Sequence, residues 1–416
     1  MSLKTIDERM LSSVFSSVLS PASRDSFGRL RVSQPYNIFD SKQLVDSLPL
    51  VYDDQQVSGS GTTSTYVGAK VCTTIAVSNL TAGLRVRQTF ERFCYQPGKS
   101  QLMYITFKFG VATTGITRRV GLFDGTNGNY LKQTSAGLFF CKVSAGTEQA
   151  IAQANWNKDK LDGTGSSGYI IDHTAAQIFW LDFEWLGVGL VRFGFIIDGK
   201  YIVCHEAYHA NRQSTVYNIN PNSTVRYDIQ NDGTGPSADM DCICASVMSE
   251  GGSDYTGILR SADLGTTGFT AGNDTNLYPA LSIRLKSTHI RNTAIALDSL
   301  GVYTAISVTF RWALLLNPTI AGTALNFGTS LTNSAIEVTS GTTNASTVSA
   351  EGTRIASGYG GQSGAAATYA DFSGSVPIRL GANIAGTSDI LTLAIGRATG
   401  TGTGVYFPTM TWRELT

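Results

Sequence analysis

The chain has 416 residues, with 31 Lys+Arg balanced by 31 Asp+Glu, and only 15% of it is charged, well under the quarter or so usual in globular proteins. A 10% aromatic content excludes a disordered chain, and the zero net charge excludes nucleic-acid binding through bulk electrostatics. No apolar run approaches the ~18 residues of a membrane-spanning helix, so membrane insertion is not expected either.

Leu3, Ile6, Met10, Val14 and Val18 recur near helical spacing and Pro21 stops the pattern. Asp7 and Glu8 stand where a signal peptide carries positive charge, so a short amphipathic helix is the reading. Residues 24–43 set Arg24, Arg29, Arg31 and Lys42 among apolar side chains with no regular period. Two readings fit: an extended arm that gains order on another surface, or a loop packed on its own domain. On the first, residues 1–48 form an anchoring arm that docks through Phe27, Arg29, Leu30, Arg31, Tyr36, Ile38 and Phe39.

From 49 to 250 the chain reads as strands. LRVRQTFERF (84–93) alternates, while LMYITFKFGV (102–111) and GLFFCKV (137–143) are aromatic and β-branched. The densest stretch, 177–208, holds Ile178, Trp180, Leu181, Phe183 and Trp185 in a largely buried strand, then VRFGFII and KYIVCHE around Asp198-Gly199. That dipeptide between apolar runs predicts a hairpin whose two turn residues both need positive φ. Residues 251–278 are rich in Gly, Thr, Ser and Asp and read as a long connection. Strands resume over 279–416, where the last 96 residues hold nine charges and Lys286 is the final lysine. The expected architecture is all-β: two sandwich or jelly-roll-like domains, 49–250 and 279–416, preceded by the helix and arm.

The candidate chemistry is thin. His205-Glu206-Ala207-Tyr208-His209 matches the zinc-protease pattern H-E-x-x-H, but that pattern needs a helix. Here it ends a predicted strand, where positions four apart lie roughly 13 Å from each other. Gly98-Lys99-Ser100 ends like a phosphate-binding loop, yet Phe93 occupies the place of its first glycine. Asp124–Asn129 has oxygen ligands at alternate positions but reads as a hairpin turn, lacking the terminal Glu of a calcium loop. Asp182 and Glu184, two apart, would share a face beside Trp180 or Trp185, with Arg192 as the obvious partner of a structural ion-pair network. Cys72, Cys94, Cys141, Cys204, Cys242 and Cys244 form no CxxC pair and read as small core hydrophobes, with Cys242 and Cys244 on one side of a strand. No cofactor, metal or catalytic residue is expected, and the chain is read as a non-enzyme.

SFGRLRVSQPYNIFDSKQ, RQTFERFCYQPGKSQ, RRVGLFDGTNG, ANWNKDKLDGTGSSG, FWLDFEWLGVGLVRFGFIIDGKYIVCHEAYHAN, VRYDI, ANIAGTSDILTLAI and TMTWREL, taken in order, resemble an uncharacterised family of virion structural proteins from tailed bacteriophages and large DNA viruses. The resemblance spans nearly the whole chain and implies a particle component rather than a reaction. It implies virion location, other virion proteins (capsid, portal/adaptor or tail) as partners, a homo-oligomer, and attachment through the N-terminal arm. A second reading, from a different class, is a virion-borne protein that binds or hydrolyses host-surface glycan, with Trp156, Trp180 and Trp185 stacking on sugar rings.

Overall fold

The computed structural model describes residues 34–252, 257–272, 276–304, 307–340, 345–361, 366–372, 379–399 and 403–415. The expected amphipathic helix and the arm residues Phe27, Arg29, Leu30 and Arg31 lie outside them.

Fifteen strands fill the first part: β1 (Pro35–Lys42), β2 (Tyr52–Gly59), β3 (Thr62–Val67), β4 (Cys72–Val77), β5 (Gly83–Thr89), β6 (Ser100–Lys108), β7 (Ile116–Phe123), β8 (Gly128–Thr134), β9 (Gly137–Ser144), β10 (Thr147–Ala152), β11 (Gln177–Phe183), β12 (Val191–Ile197), β13 (Lys200–Ala207), β14 (Val225–Asn231) and β15 (Ala238–Glu250). One sheet runs β13-β12-β11-β6-β15-β4-β3, with β1 also on β15, and the other runs β10-β9-β8-β7-β14-β5-β2. The sheets are antiparallel. They face one another across a single core: Met103, Ile105, Phe179 and Phe193 from the first meet Val120, Leu131, Phe140 and Ile229 from the second. Alternate residues of each strand supply that core, as period-2 side-chain direction requires.

The second part contains β16 (Ile258–Asp263), β17 (Phe269–Ala271), β18 (Tyr278–Leu285), β19 (Ala294–Thr304), β20 (Phe310–Leu316), β21 (Thr319–Gly322), β22 (Thr329–Ser330), β23 (Ile336–Ser340), β24 (Ser346–Ala350), β25 (Thr353–Gly360), β26 (Ala366–Asp371), β27 (Arg379–Leu380), β28 (Ile390–Arg397) and β29 (Gly404–Leu415). A β16-β29-β19-β26 sheet packs on a β22-β23-β18-β28-β20-β25 sheet, burying Leu300, Val302, Met410 and Trp412 against Ile283, Phe310, Leu314 and Leu393. Among the described residues the helical element is a single 3-10 turn, Gln153–Asn155. The fold is all-β, and none of its described helices is long and apolar enough to cross a membrane.

Three expectations are corrected here. Residues 35–42 are not a free arm: they form β1, with Pro35 opposite Glu250 and Lys42 opposite Cys244. Its signal is hidden because an edge strand packs only part of one face, through Ile38 and Phe39, and leaves Tyr36 exposed. Phe39 sits 5.0 Å from Phe93, ring to ring, and 6.3 Å from Tyr52. Second, the segment 251–278 is not merely a connection, since β16 and β17 within it both pair with β29. β16 is an edge strand with mostly exposed side chains, so it shows no apolar alternation. Third, Cys242 and Cys244 do not share a face. A β-bulge between them shifts the register, so Met240 and Cys242 point into the core and then Ala245 and Val247 do.

The two parts meet through hydrogen bonds, most of them to backbone carbonyls. The buried Arg92 donates to the Asn222 and Ile290 carbonyls, both at 3.1 Å. Asn220 and Asn222 side chains donate to the carbonyls of Arg291 (2.6 Å) and Asn292 (2.8 Å), and the Ile384 amide donates to Asp53 at 2.6 Å.

Candidate functional site

The outer face of the first sheet carries a surface of mixed aromatic and polar chemistry. It follows from the hairpin. Asp198 and Gly199 have φ of 51° and 72°, and Ile197 pairs with Lys200, so the turn has the expected two-residue form. That pairing puts Ile196 opposite Tyr201 and Gly194 opposite Val203. Gly194 also lies opposite Trp180 of β11, which lies opposite Tyr104 of β6. Trp180 points away from the core that takes its neighbours Phe179 and Leu181.

Tyr201 covers it. The two rings stack with centroids 4.1 Å apart and 21° between planes. Trp180 is fully buried, and its indole N–H donates to the Phe195 carbonyl at 3.3 Å. Tyr201 keeps 46% of its surface exposed, so the ring face turned away from Trp180 meets solvent. Gly194 makes this possible, since a Cβ there would overlap the Trp180 ring and the Ile202 carbonyl oxygen. The Tyr104 hydroxyl hydrogen-bonds Tyr201, and burial pushes both phenols above their usual range, with Tyr104 further opposing ionisation of Tyr201.

Beside the aromatic pair is a polar end. Asp182, buried, accepts from Arg192 Nε at 2.8 Å, from the same guanidinium's Nη2, and from the Ser100 hydroxyl. Burial opposes the charge of Arg192, but the Asp182 carboxylate outweighs it and holds the guanidinium above its usual range. Glu250, at the end of β15, is pushed up by burial and then by Asp182, with Ser100 hydrogen-bonding it. Across the sheet Arg192 stands opposite Glu206, which pairs with Lys158 at 2.8 Å. The expected Asp182–Arg192 ion pair is therefore present, while Glu184 lies exposed beyond the end of β11. Both Asp182 oxygens are engaged, so this carboxylate orients its neighbours.

The other motifs resolve into local structure. His205 faces inward opposite Phe193, and its Nδ1 accepts from the Asn157 amide at 3.3 Å. His209, buried beyond the strand, contacts the Gly189 carbonyl through Nδ1 (2.6 Å) and Lys142 Nζ through Nε2 (2.6 Å). The two imidazoles thus serve separate partners, and no cluster of three metal-ligating side chains occurs among the described residues. Asp124 closes the β7–β8 turn by accepting from the Thr126 and Asn127 amides, both at 2.9 Å, and pairs with Arg92 at 2.9 Å. Trp156 is buried against Phe140, rings 4.0 Å apart, and half-buried Trp185 donates to the Asn218 carbonyl at 2.8 Å. Neither Trp156 nor Trp180 offers an open ring face of its own. The platform residues Tyr201 and Tyr104 escaped the sequence reading, although the Asp198-Gly199 turn places Tyr201 by register alone.

No family model and no curated protein sequence matches the chain. Solved structures similar to it include Bacillus licheniformis β-glucanase (TM-score 0.34, 9% identity, covering 53% of this chain and 99% of that one). The Emp47p carbohydrate recognition domain (0.33, 11%, 53% and 98%) and a legume lectin-like domain from Entamoeba histolytica (0.31, 7%, 51% and 97%) are also similar.

Proposed function

We propose that this chain is a non-catalytic glycan-binding subunit carried on a virion, and that it takes sugar on the outer face of its first sheet. The observation that carries the glycan reading is Tyr201. One side of its ring is braced flat on buried Trp180 and the other is open. A rigid aromatic plate flanked by hydroxyl, carboxylate and guanidinium groups suits a pyranose, whose C–H face is apolar and whose edge carries hydroxyls. Tyr104, Ser100, Arg192 and Glu250 supply the polar edge. Asp182 is held by Arg192 and Ser100, a structural role that supports binding rather than cleavage at this face.

Virion carriage rests on the ordered motif resemblance, with residues 1–33 as the anchor now that 35–42 belong to the sandwich. The test is a glycan array probed with the full chain, followed by titration of the best-bound oligosaccharide. Tyr201→Ala is expected to weaken binding at least tenfold and, because it uncovers Trp180, to lower the melting temperature by a few degrees while unfolding stays cooperative. A wild-type chain that binds no glycan, or an Ala variant that binds equally, overturns the reading.

A further inference from the structure

Among the described residues, the second sandwich has a partly exposed sheet face of similar chemistry on unrelated strands. Along β19 and β29 the inner positions are Leu300, Val302, Tyr406, Met410 and Trp412. The outer positions come in register as Tyr303 opposite Phe407, Gly301 opposite Thr409, and Ser299 opposite Thr411. β26 sets Tyr369 beside Gly301, and β16 sets Asp263 beside Thr409 and Ser261 beside Thr411. The face is therefore an aromatic end joined to a row of hydroxyls.

The aromatic end is open. Tyr369 is 68% exposed and Tyr303 41%, and the Tyr303 and Phe407 rings lie 5.8 Å apart at 41°. Gly301 leaves a trough between them and the hydroxyls, since a Cβ there would come 2.9 Å from Thr409 Oγ1 and 4.0 Å from Tyr369 Cδ2. At the hydroxyl end the trough runs into an open groove of about 570 Å³, lined by Leu259, Arg260, Ser261, Leu331, Thr332 and Thr411. Four strands abreast make the path about 14 Å wide, enough for an oligomer of sugars.

We propose that this face is a second carbohydrate-binding surface, for a neutral oligosaccharide, with Tyr303, Tyr369 and Phe407 as stacking plates and Ser261, Thr409 and Thr411 as hydroxyl partners. Charge selects the ligand class. The chain has no lysine after Lys286, Arg413 on this face is paired with Asp298 at 3.3 Å, and Arg260 in the groove donates to the Asn333 carbonyl at 2.8 Å, leaving one cation without a carboxylate partner among the described residues. A nucleic acid or polyanionic glycan would find too little positive charge. A partner protein would bury the patch best if its centre were apolar, and here the centre is Gly301 and Thr409. The proposal shares its ligand class with the Tyr201 face but rests on its own residues.

The test uses the full chain titrated calorimetrically with neutral gluco-, galacto- and manno-hexaoses, beside an anionic uronic-acid hexaose. In the Tyr201→Ala background at least one neutral hexaose is expected to bind at one site per chain. Adding Tyr303→Ala and Tyr369→Ala is expected to weaken that site at least tenfold, with the melting temperature unchanged because both rings are exposed. The proposal is overturned if Tyr201→Ala alone abolishes all binding, which would leave the first face intact as the sole site. Preference for the uronic-acid hexaose also overturns it. So does a change from oligomer to monomer in sedimentation of the Tyr303/Tyr369 variant, which would make the face a contact between copies of the chain. Conversely, binding that survives Tyr201→Ala at full stoichiometry and is lost only with Tyr303 and Tyr369 supports this face and removes the first.

Discussion

Lys142 Nζ lies 2.6 Å from Nε2 of His209 inside the end of the first sandwich, while His209 Nδ1 contacts the Gly189 carbonyl at 2.6 Å. The arrangement selects one tautomer, with Nδ1–H donating to the carbonyl and Nε2 accepting from the amine. Burial pushes Lys142 down to about 8 and pushes His209 below its usual range. Burial, with the nearby Lys142 charge, pushes His205 down to about 4.

The depressed histidine values make acid destabilising, whereas the Lys142 window lies above about pH 8. A group whose folded pKa lies below its unfolded one binds protons more readily when unfolded, so its stability is present above the unfolded value and lost as pH falls through the folded one. For His205 the window runs from 6.5 to about 4, and a shift of that size corresponds to about 3 kcal/mol. Urea denaturation at pH 7, 5.5 and 4 should show the loss, and His205→Gln should flatten the slope. A slope unaltered by that variant would show that His205 is not the group responsible.

Gly194 is required by the stacked pair. Gly194→Ala would drive its methyl into the Trp180 ring and the Ile202 carbonyl oxygen. We expect a loss of about 1–3 kcal/mol, typical of overpacking a core site, measured as a lower urea midpoint with unchanged slope. Near-UV circular dichroism should report a displaced Trp180.

Arg192→Met should cost more than Asp182→Asn and Arg192→Met together. Removing the guanidinium alone leaves the Asp182 carboxylate buried with only Ser100. Arg192 is 39% exposed on its side chain, so solvent screening brings the expected cost to about 2 kcal/mol rather than the larger figure for a fully buried pair. A double-mutant cycle by thermal denaturation measures the coupling, and additive single effects would contradict it.

Truncation should distinguish two parts of the former arm. Removing residues 1–33 is expected to leave the melting temperature unchanged while abolishing incorporation into particles. Removing 1–48 should destabilise the first sandwich by several kcal/mol. It deletes β1 and Phe39, and also Gln43, which donates to the Cys242 carbonyl at 2.9 Å, and Ser47, whose carbonyl accepts from the fully buried Arg87. Limited proteolysis and calorimetry of both truncations report the difference.

Much of the fold was legible because period-2 patterning and turn chemistry are local. The all-β class, the Asp198-Gly199 hairpin and the Asp182–Arg192 pair each depend on residues near one another in the chain or on a register that a tight turn imposes. Edge strands were not legible: β1 and β16 show weak alternation because each packs against a partner on only one side. Nor was the side-chain direction of Cys244, since one bulged residue reverses every later position on its strand.

The sequence by itself determined what kind of sheet this chain must build and how charge thins out toward its C-terminal end. Only the tertiary structure decided which aromatic rings become core and which become surface. Trp156, Trp180 and Tyr201 are similar in kind on paper. Strand order buries the first two and lays the third over Trp180 with one face open, because register across three strands puts a glycine beneath the indole.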